Sequence, residues 1–402
     1  MNRILVFIIL ISVLAGCDTS TNVAPLGEEY FIKFYGSLGD QEGVAIKPTA
    51  DGGFIIGGNS TPEFGGQLDY LLIKVDALGN QEWQETFDIN GSGENDLITD
   101  ISVDGDNFII VGTSTINGVD KVVLIRVDNT GAMVNVPIVF DEFSNISYKA
   151  NGLSVTSTGN FIITGPITGG DPTQYGKSFM AIINTDFMVV DSFSHPSNPS
   201  TVGNETIFVK GLEVINSNTS ELNYLFFGYK NSITGSKLEL AQFQTNFGSA
   251  NNNQLPVNYN NSKVVDVVKI NDSEYKLLAA SDNSTYLINV EETSFGYVLA
   301  ADQLVDAGDF IQGVSLAYSN NDQFLISSNT RPESSIISSS SILESSISGI
   351  ISWERLFGTE ISYTSGGVIT LADGSVVYTG TAGFKGQKKC FLVKLKPNGE
   401  MK

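Results

Sequence analysis

The feature that most constrains this chain is a segment that keeps returning. It is an aromatic residue or valine, then two or three apolar residues, then a small residue. Clear copies are Phe54-Ile55-Ile56-Gly57-Gly58, Phe108-Ile109-Ile110-Val111-Gly112 and Phe161-Ile162-Ile163-Thr164-Gly165. Weaker copies begin at Tyr224, Tyr275, Phe324 and Val376, so successive copies are 54, 53, 63, 51, 49 and 52 residues apart. A unit this short cannot bury its own faces and must stack on its neighbours.

Each unit carries more than one strand. A second apolar run follows in register, as Tyr70-Leu71-Leu72-Ile73-Lys74-Val75-Asp76, Val122-Val123-Leu124-Ile125-Arg126-Val127-Asp128 and Phe391-Leu392-Val393-Lys394-Leu395. Turns with Gly79, Gly131 and Gly399 come next, where glycine permits the positive φ of a tight hairpin. An outer strand then carries aromatic pairs four apart, Trp83/Phe87 and Trp353/Phe357, and each tryptophan lies 29 residues after its unit's first aromatic. Helical periodicity is nearly absent and the chain has 41 glycines. A period near 50 with several strands per unit predicts an all-β fold, a single β-propeller of about seven four-stranded blades. Trp83 and Trp353 are expected at equivalent places, packed on the next blade. The last unit ends before its fourth strand, and Phe31, Tyr35 and Gly36 match Trp353, Phe357 and Gly358. Residues 30–35 are therefore expected to pair with the strand containing Phe391 to Leu395, closing the ring.

In these motifs the chain resembles a family of exported bacterial propeller-repeat proteins. Asp51-Gly52-Gly53 and Lys74-Val75-Asp76 carry the likeness over residues 28–131, and residues 350–402 repeat it. Residues 141–349 keep mainly the apolar strands. The resemblance implies a binding or scaffolding role and brings no catalytic residues.

The N-terminus reads as an export signal. Arg3 precedes an apolar run from Ile4 to Leu14, too short for the roughly 20 residues that span a bilayer. It ends in Leu14-Ala15-Gly16-Cys17, which resembles the lipobox of bacterial lipoproteins and implies cleavage before Cys17 and acylation (palmitate-type) of that residue. The expected organisation is a signal peptide over 1–16, a lipidated tether over 17–27 and the propeller over 28–402. The expected place is the cell envelope, lipid-anchored, at the outer membrane of a Gram-negative bacterium. With Cys17 acylated, Cys390 has no disulfide partner and reads as a small core residue. Net charge is −22, which argues against nucleic acid and against electrostatic attachment to anionic lipid.

Chemistry has few places to reside. The single histidine, His195, falls in Ser194-His195-Pro196-Ser197 and reads as an exposed turn. The Ser-rich stretch Ser334 to Ser348 reads as a long loop of blade six. Asp88, Asn90 and Ser92 alternate oxygen ligands like the start of a Ca²⁺ loop, although position 12 is Thr99 rather than glutamate. An Asx-rich turn explains the same residues, so the expectation is no cofactor, with Ca²⁺ as the candidate. The face built from 36–43, 59–68, 88–96, 166–176 and 329–349 is the expected ligand face, with Asp40, Glu42, Glu94 and Asp96 on it. Two readings follow. One is a non-catalytic envelope lipoprotein, a binding or scaffold propeller engaging a protein or glycan, as a monomeric domain or a subunit of an envelope complex. The alternative is a carboxylate-based glycan lyase or hydrolase on a propeller core.

Overall fold

The computed structural model describes residues 29–401, apart from 63–64, 90, 92, 141–145, 170–175, 196–204, 216–219, 233–234, 245–249, 254–261, 282–283, 295, 306–309, 320–321, 332–336 and 359. Every described element is a strand, and the strands form seven antiparallel sheets. The fold is a seven-bladed β-propeller. Blade one runs through Gln41–Pro48, Phe54–Ser60, Asp69–Val75 and Gln81–Phe87, from innermost to outermost strand. Blades two to six follow the same path. Blade seven takes Tyr363–Thr370, Val376–Phe384 and Gln387–Leu395 from the C-terminal end, and its outermost strand, Phe31–Tyr35, from the N-terminal end. Phe31 pairs with Lys394 and Tyr35 with Cys390, so the expected closure is present.

The second and third strands of each blade are buried on both faces, which explains their near-continuous apolar runs. The core lies between blades as stacked clusters. One of them joins Phe31, Tyr35 and Cys390 of blade seven to Ile46, Phe54 and Ile73 of blade one. Burial pushes the Cys390 thiol up to about 12, so it stays a neutral core group.

The innermost strands share a device that the sequence pattern hides. Six of the seven carry a register shift at one level, at Gly43/Ala45, Ile98/Asp100, Phe208/Lys210, Val264/Asp266, Gly313/Ser315 and Ser365/Val368. In blade three the strand is split into Ser147–Tyr148 and Gly152–Val155, both paired with Phe161–Gly169. A bulge bends the strand and strands a backbone N–H. In the blades that follow, the preceding blade satisfies it. Asn59 Oδ1 accepts from Ile98 N–H at 2.9 Å, Thr113 Oγ1 from Ala150 at 3.0 Å, Ser178 Oγ from Phe208 at 2.8 Å and Thr285 Oγ1 from Gly313 at 3.0 Å. Asn329 serves Ser365 at 2.7 Å, and Thr381 serves Gly43 at 3.2 Å across the closing seam. The small residue that ends each repeat motif faces this bulge. A Cβ on Gly58 would strike the Glu42 carbonyl, and one on Gly228 the Ile207 carbonyl.

Three aromatic residues repeat a second contact. Trp83 lies on Gly131, Trp353 on Gly399 and Phe31 on Gly79, each covering the positive-φ turn glycine of the next blade. The tryptophans are half-buried, and Trp83 Nε1 donates to the Asn129 carbonyl at 2.9 Å.

Two expectations are overturned. Ser339–Ser346 is the third strand of blade six, not a loop. Its serines are buried because they bond across the sheet and to blade seven: Ser328 with Ser341 at 2.6 Å, Ser340 with Ser365 at 2.5 Å, and Ser339 with the Gly358 carbonyl at 2.6 Å. His195 is not in an exposed turn. It ends the outer strand Val189–His195, is 3% exposed, and packs on Phe208 and Phe243 with Nε2 3.3 Å from Glu239.

Candidate functional site

Two regions gather polar chemistry: the channel lined by the innermost strands, and the loop face at blades one, two and seven. The bulges set the channel lining. It encloses about 260 Å³ and includes Lys47, Asp100, Asn151, Lys210, Asp266 and Ser315. Lys210 of blade four meets Asp266 of blade five at 3.0 Å, and Lys47 of blade one meets Asp100 of blade two at 3.3 Å. Asp266 also accepts from the backbone of Val267 (2.8 Å) and Leu316 (2.9 Å) and from the Ser315 hydroxyl (3.2 Å). Burial opposes its charge, but Lys210 and these donors hold the carboxyl below the usual range. Lys210 resists burial in turn, held up by Asp266 and Asp100. Lys210 and Asp266 therefore form a charged clasp across blades four, five and six.

The loop face separates the four carboxylates expected on it. Asp40 and Glu42 sit at the closing seam, where Asp40 Oδ1 accepts the Lys388 N–H at 2.8 Å and Glu42 Oε1 takes the Lys388 ammonium at 2.6 Å. Glu94 lies at the other seam and accepts the Gly118 N–H at 2.9 Å. Asp96 is fully buried. It meets Asp88 and Asp69, and one carboxylate oxygen from each residue lies within 4.8 Å of the others. Of the expected Ca²⁺ set only Asp88 is in this group; Asn90 and Ser92 lie outside the described residues. Burial raises both Asp96 and Asp69; hydrogen bonds from the Ile89 N–H and the Ser114 hydroxyl oppose it at Asp96, and the charge of Asp88 adds to both, with Asp69 adding to Asp96.

Sequence reading missed Asp69, although a signal existed. Aligned by register, Asp69 opposite Ser60 corresponds to Lys121 opposite Ser114, Lys237 opposite Lys230 and Lys389 opposite Ala382. Lys177, whose carbonyl accepts from Ile167, holds the place in blade three. Four blades carry a lysine there, and blade one carries an acid.

No protein-family profile matches the sequence, and no curated protein matches it. Solved structures do. A propeller described as Dos1 aligns over 92% of this chain and 96% of its own, with a TM-score of 0.52 and 10% identity. The propeller domain of the trilobed protease from Pyrococcus furiosus, described as having an open velcro topology, covers 90% of this chain and 96% of its own at a TM-score of 0.50 and 10% identity. A polysaccharide lyase of a new family, an ulvan lyase, covers 92% and 97% at a TM-score of 0.54 and 10% identity. At such identity these likenesses establish the fold alone. They span enzymes and a propeller with no stated reaction.

Proposed function

We propose that this protein is a lipid-anchored cell-envelope propeller that binds a protein or glycan partner through its loop face and performs no chemistry on it. The observation that carries the reading is the placement of His195. The chain's single imidazole is sealed between Phe208 and Phe243 against Glu239, out of reach of any substrate. The Lys210–Asp266 pair supports it as well, since a carboxyl held ionised below its usual range is a poor proton donor. Acylation at Cys17 places the anchor before Phe31, which pairs with Lys394 at the end of the ring that carries the 49–53 and 76–80 turns. The loop face is at the other end of the ring.

The second reading, a carboxylate-based glycan lyase or hydrolase, draws on one observation: Asp69 and Asp96 are raised and stand beside Asp88. A turnover assay on neutral and anionic envelope glycans separates the two. Binding without bond cleavage is expected, and glycan cleavage that is lost in Asp88→Asn overturns the first reading. Mass spectrometry of the mature N-terminus tests the anchor, where an unmodified terminus at another residue contradicts it.

A further inference from the structure

In blade seven the register position opposite Ala382 is Lys389, whose ammonium reaches across the seam to Gln41 Oε1 at 3.0 Å and to the Ser37 carbonyl. The inter-blade loop there receives its cation from the chain. At the seam between blades one and two the same position is Asp69, and the loop it faces adds Asp88 and Asp96. Among the described residues no lysine or arginine pairs with any of the three. Asp96 makes the deficit acute. It is fully buried, its Oδ2 accepts the Ile89 N–H at 2.8 Å, and its Oδ1 has no hydrogen-bond partner. A buried carboxylate that keeps one oxygen without a full hydrogen bond, and that stands beside two more carboxylates, is strongly disfavoured unless a positive charge is added.

We infer that Asp69, Asp88 and Asp96 form a site for a hard divalent cation, Ca²⁺ or Mg²⁺, which supplies at this seam the positive charge that Lys389 supplies at the closing seam. The donors are all hard oxygens, which suit Ca²⁺ or Mg²⁺ and not a soft metal. One oxygen from each carboxylate lies within 4.8 Å of the others, close enough for a single divalent ion to touch all three. The ion would tie the start of strand Asp69–Val75 to the loop that leaves Gln81–Phe87 and to the start of Asp96–Asp104. It thereby fixes the blade-one side of the loop face. Asp88 Oδ1 already accepts the Gly91 N–H at 2.7 Å, which orients that carboxylate.

The test is isothermal titration of the EDTA-treated, detergent-solubilised full chain with CaCl₂ and with MgCl₂, read beside the melting temperature. Saturable heat with CaCl₂ or MgCl₂ and a matching rise in melting temperature are expected. Asp88 is exposed, so Asp88→Asn is expected to fold and to lose the response, while Asp40→Asn at the other seam keeps it. No saturable heat with wild type, or an unchanged response in Asp88→Asn, overturns the site. Neither result bears on whether the loop face binds a partner.

Discussion

The Tyr35 hydroxyl donates a 2.7 Å hydrogen bond to the Gly79 carbonyl, joining the last blade to the first. The ring of Phe31 lies on the same glycine. Burial, helped by Cys390 and Asp76, raises the Tyr35 phenol, so it stays a donor through the range in which the protein folds. Tyr35→Phe removes this bond with little change of shape. It is expected to cost about 1 kcal/mol in denaturant unfolding, and an unchanged midpoint would show that the bond contributes nothing.

Trp83 and Trp353 are only half-buried, so truncating them removes less than a full core tryptophan would. Each Trp→Ala change is expected to cost about 2 kcal/mol, below the roughly 3–5 kcal/mol of a sealed core site. Losses at both positions, measured by urea unfolding, follow from their shared contacts with Gly131 and Gly399, with Trp83 losing up to about 1 kcal/mol more because only its Nε1 donates a hydrogen bond to a turn carbonyl. A loss at one position alone would break the equivalence.

Gly58→Ala drives a methyl group into the Glu42 carbonyl at the blade-one bulge. Overpacking of this kind costs about 1–3 kcal/mol. Gly383→Ala meets only the Ser362 carbonyl, at an ordinary 3.6 Å, and is expected within about 0.5 kcal/mol of wild type. Equal stabilities for the two variants would remove the bulge as the reason for the repeat's small residue.

Acid should act on Asp51 in a defined direction. Burial opposes its charge, but bonds from Lys74, Thr49 and the Gly53 N–H hold it at about 2, against 3.8 when free. A depressed carboxyl contributes stability above its free value and loses it as pH falls through the folded value. Asp69 and Asp96 have the opposite sign, since raised carboxyls gain as they protonate in the fold. The melting-temperature gap between wild type and Asp51→Asn should be largest above about pH 4 and close toward about pH 2. A gap that does not change with pH would contradict this.

The architecture was legible because each part of the repeat answers one physical demand. The apolar runs are strands buried on two faces, and the 29-residue phase of Trp83 and Trp353 marks the outer strand. The incomplete last unit pointed to Phe31 and Tyr35 as its missing edge. Less legible was anything that depends on which blade lies against which. His195 reads as a turn because Pro196 follows it, yet Glu239, 44 residues on, buries it. Ser339–Ser346 lacks an apolar pattern because its hydroxyls are satisfied by blades six and seven together. Asp69 stood out only once the strands were in register, as an acid where four other blades have lysine.

The most direct test of the account is ring closure. Deleting residues 28–36 removes the strand that pairs with Cys390 to Lys394 and exposes its row of N–H and C=O groups. The expected result is destabilisation of the whole domain, seen as a large drop in a single melting transition and loss of hydrogen-exchange protection in blades one and seven together. A truncated chain that keeps the full melting temperature would contradict closure, and the seven-bladed ring with it.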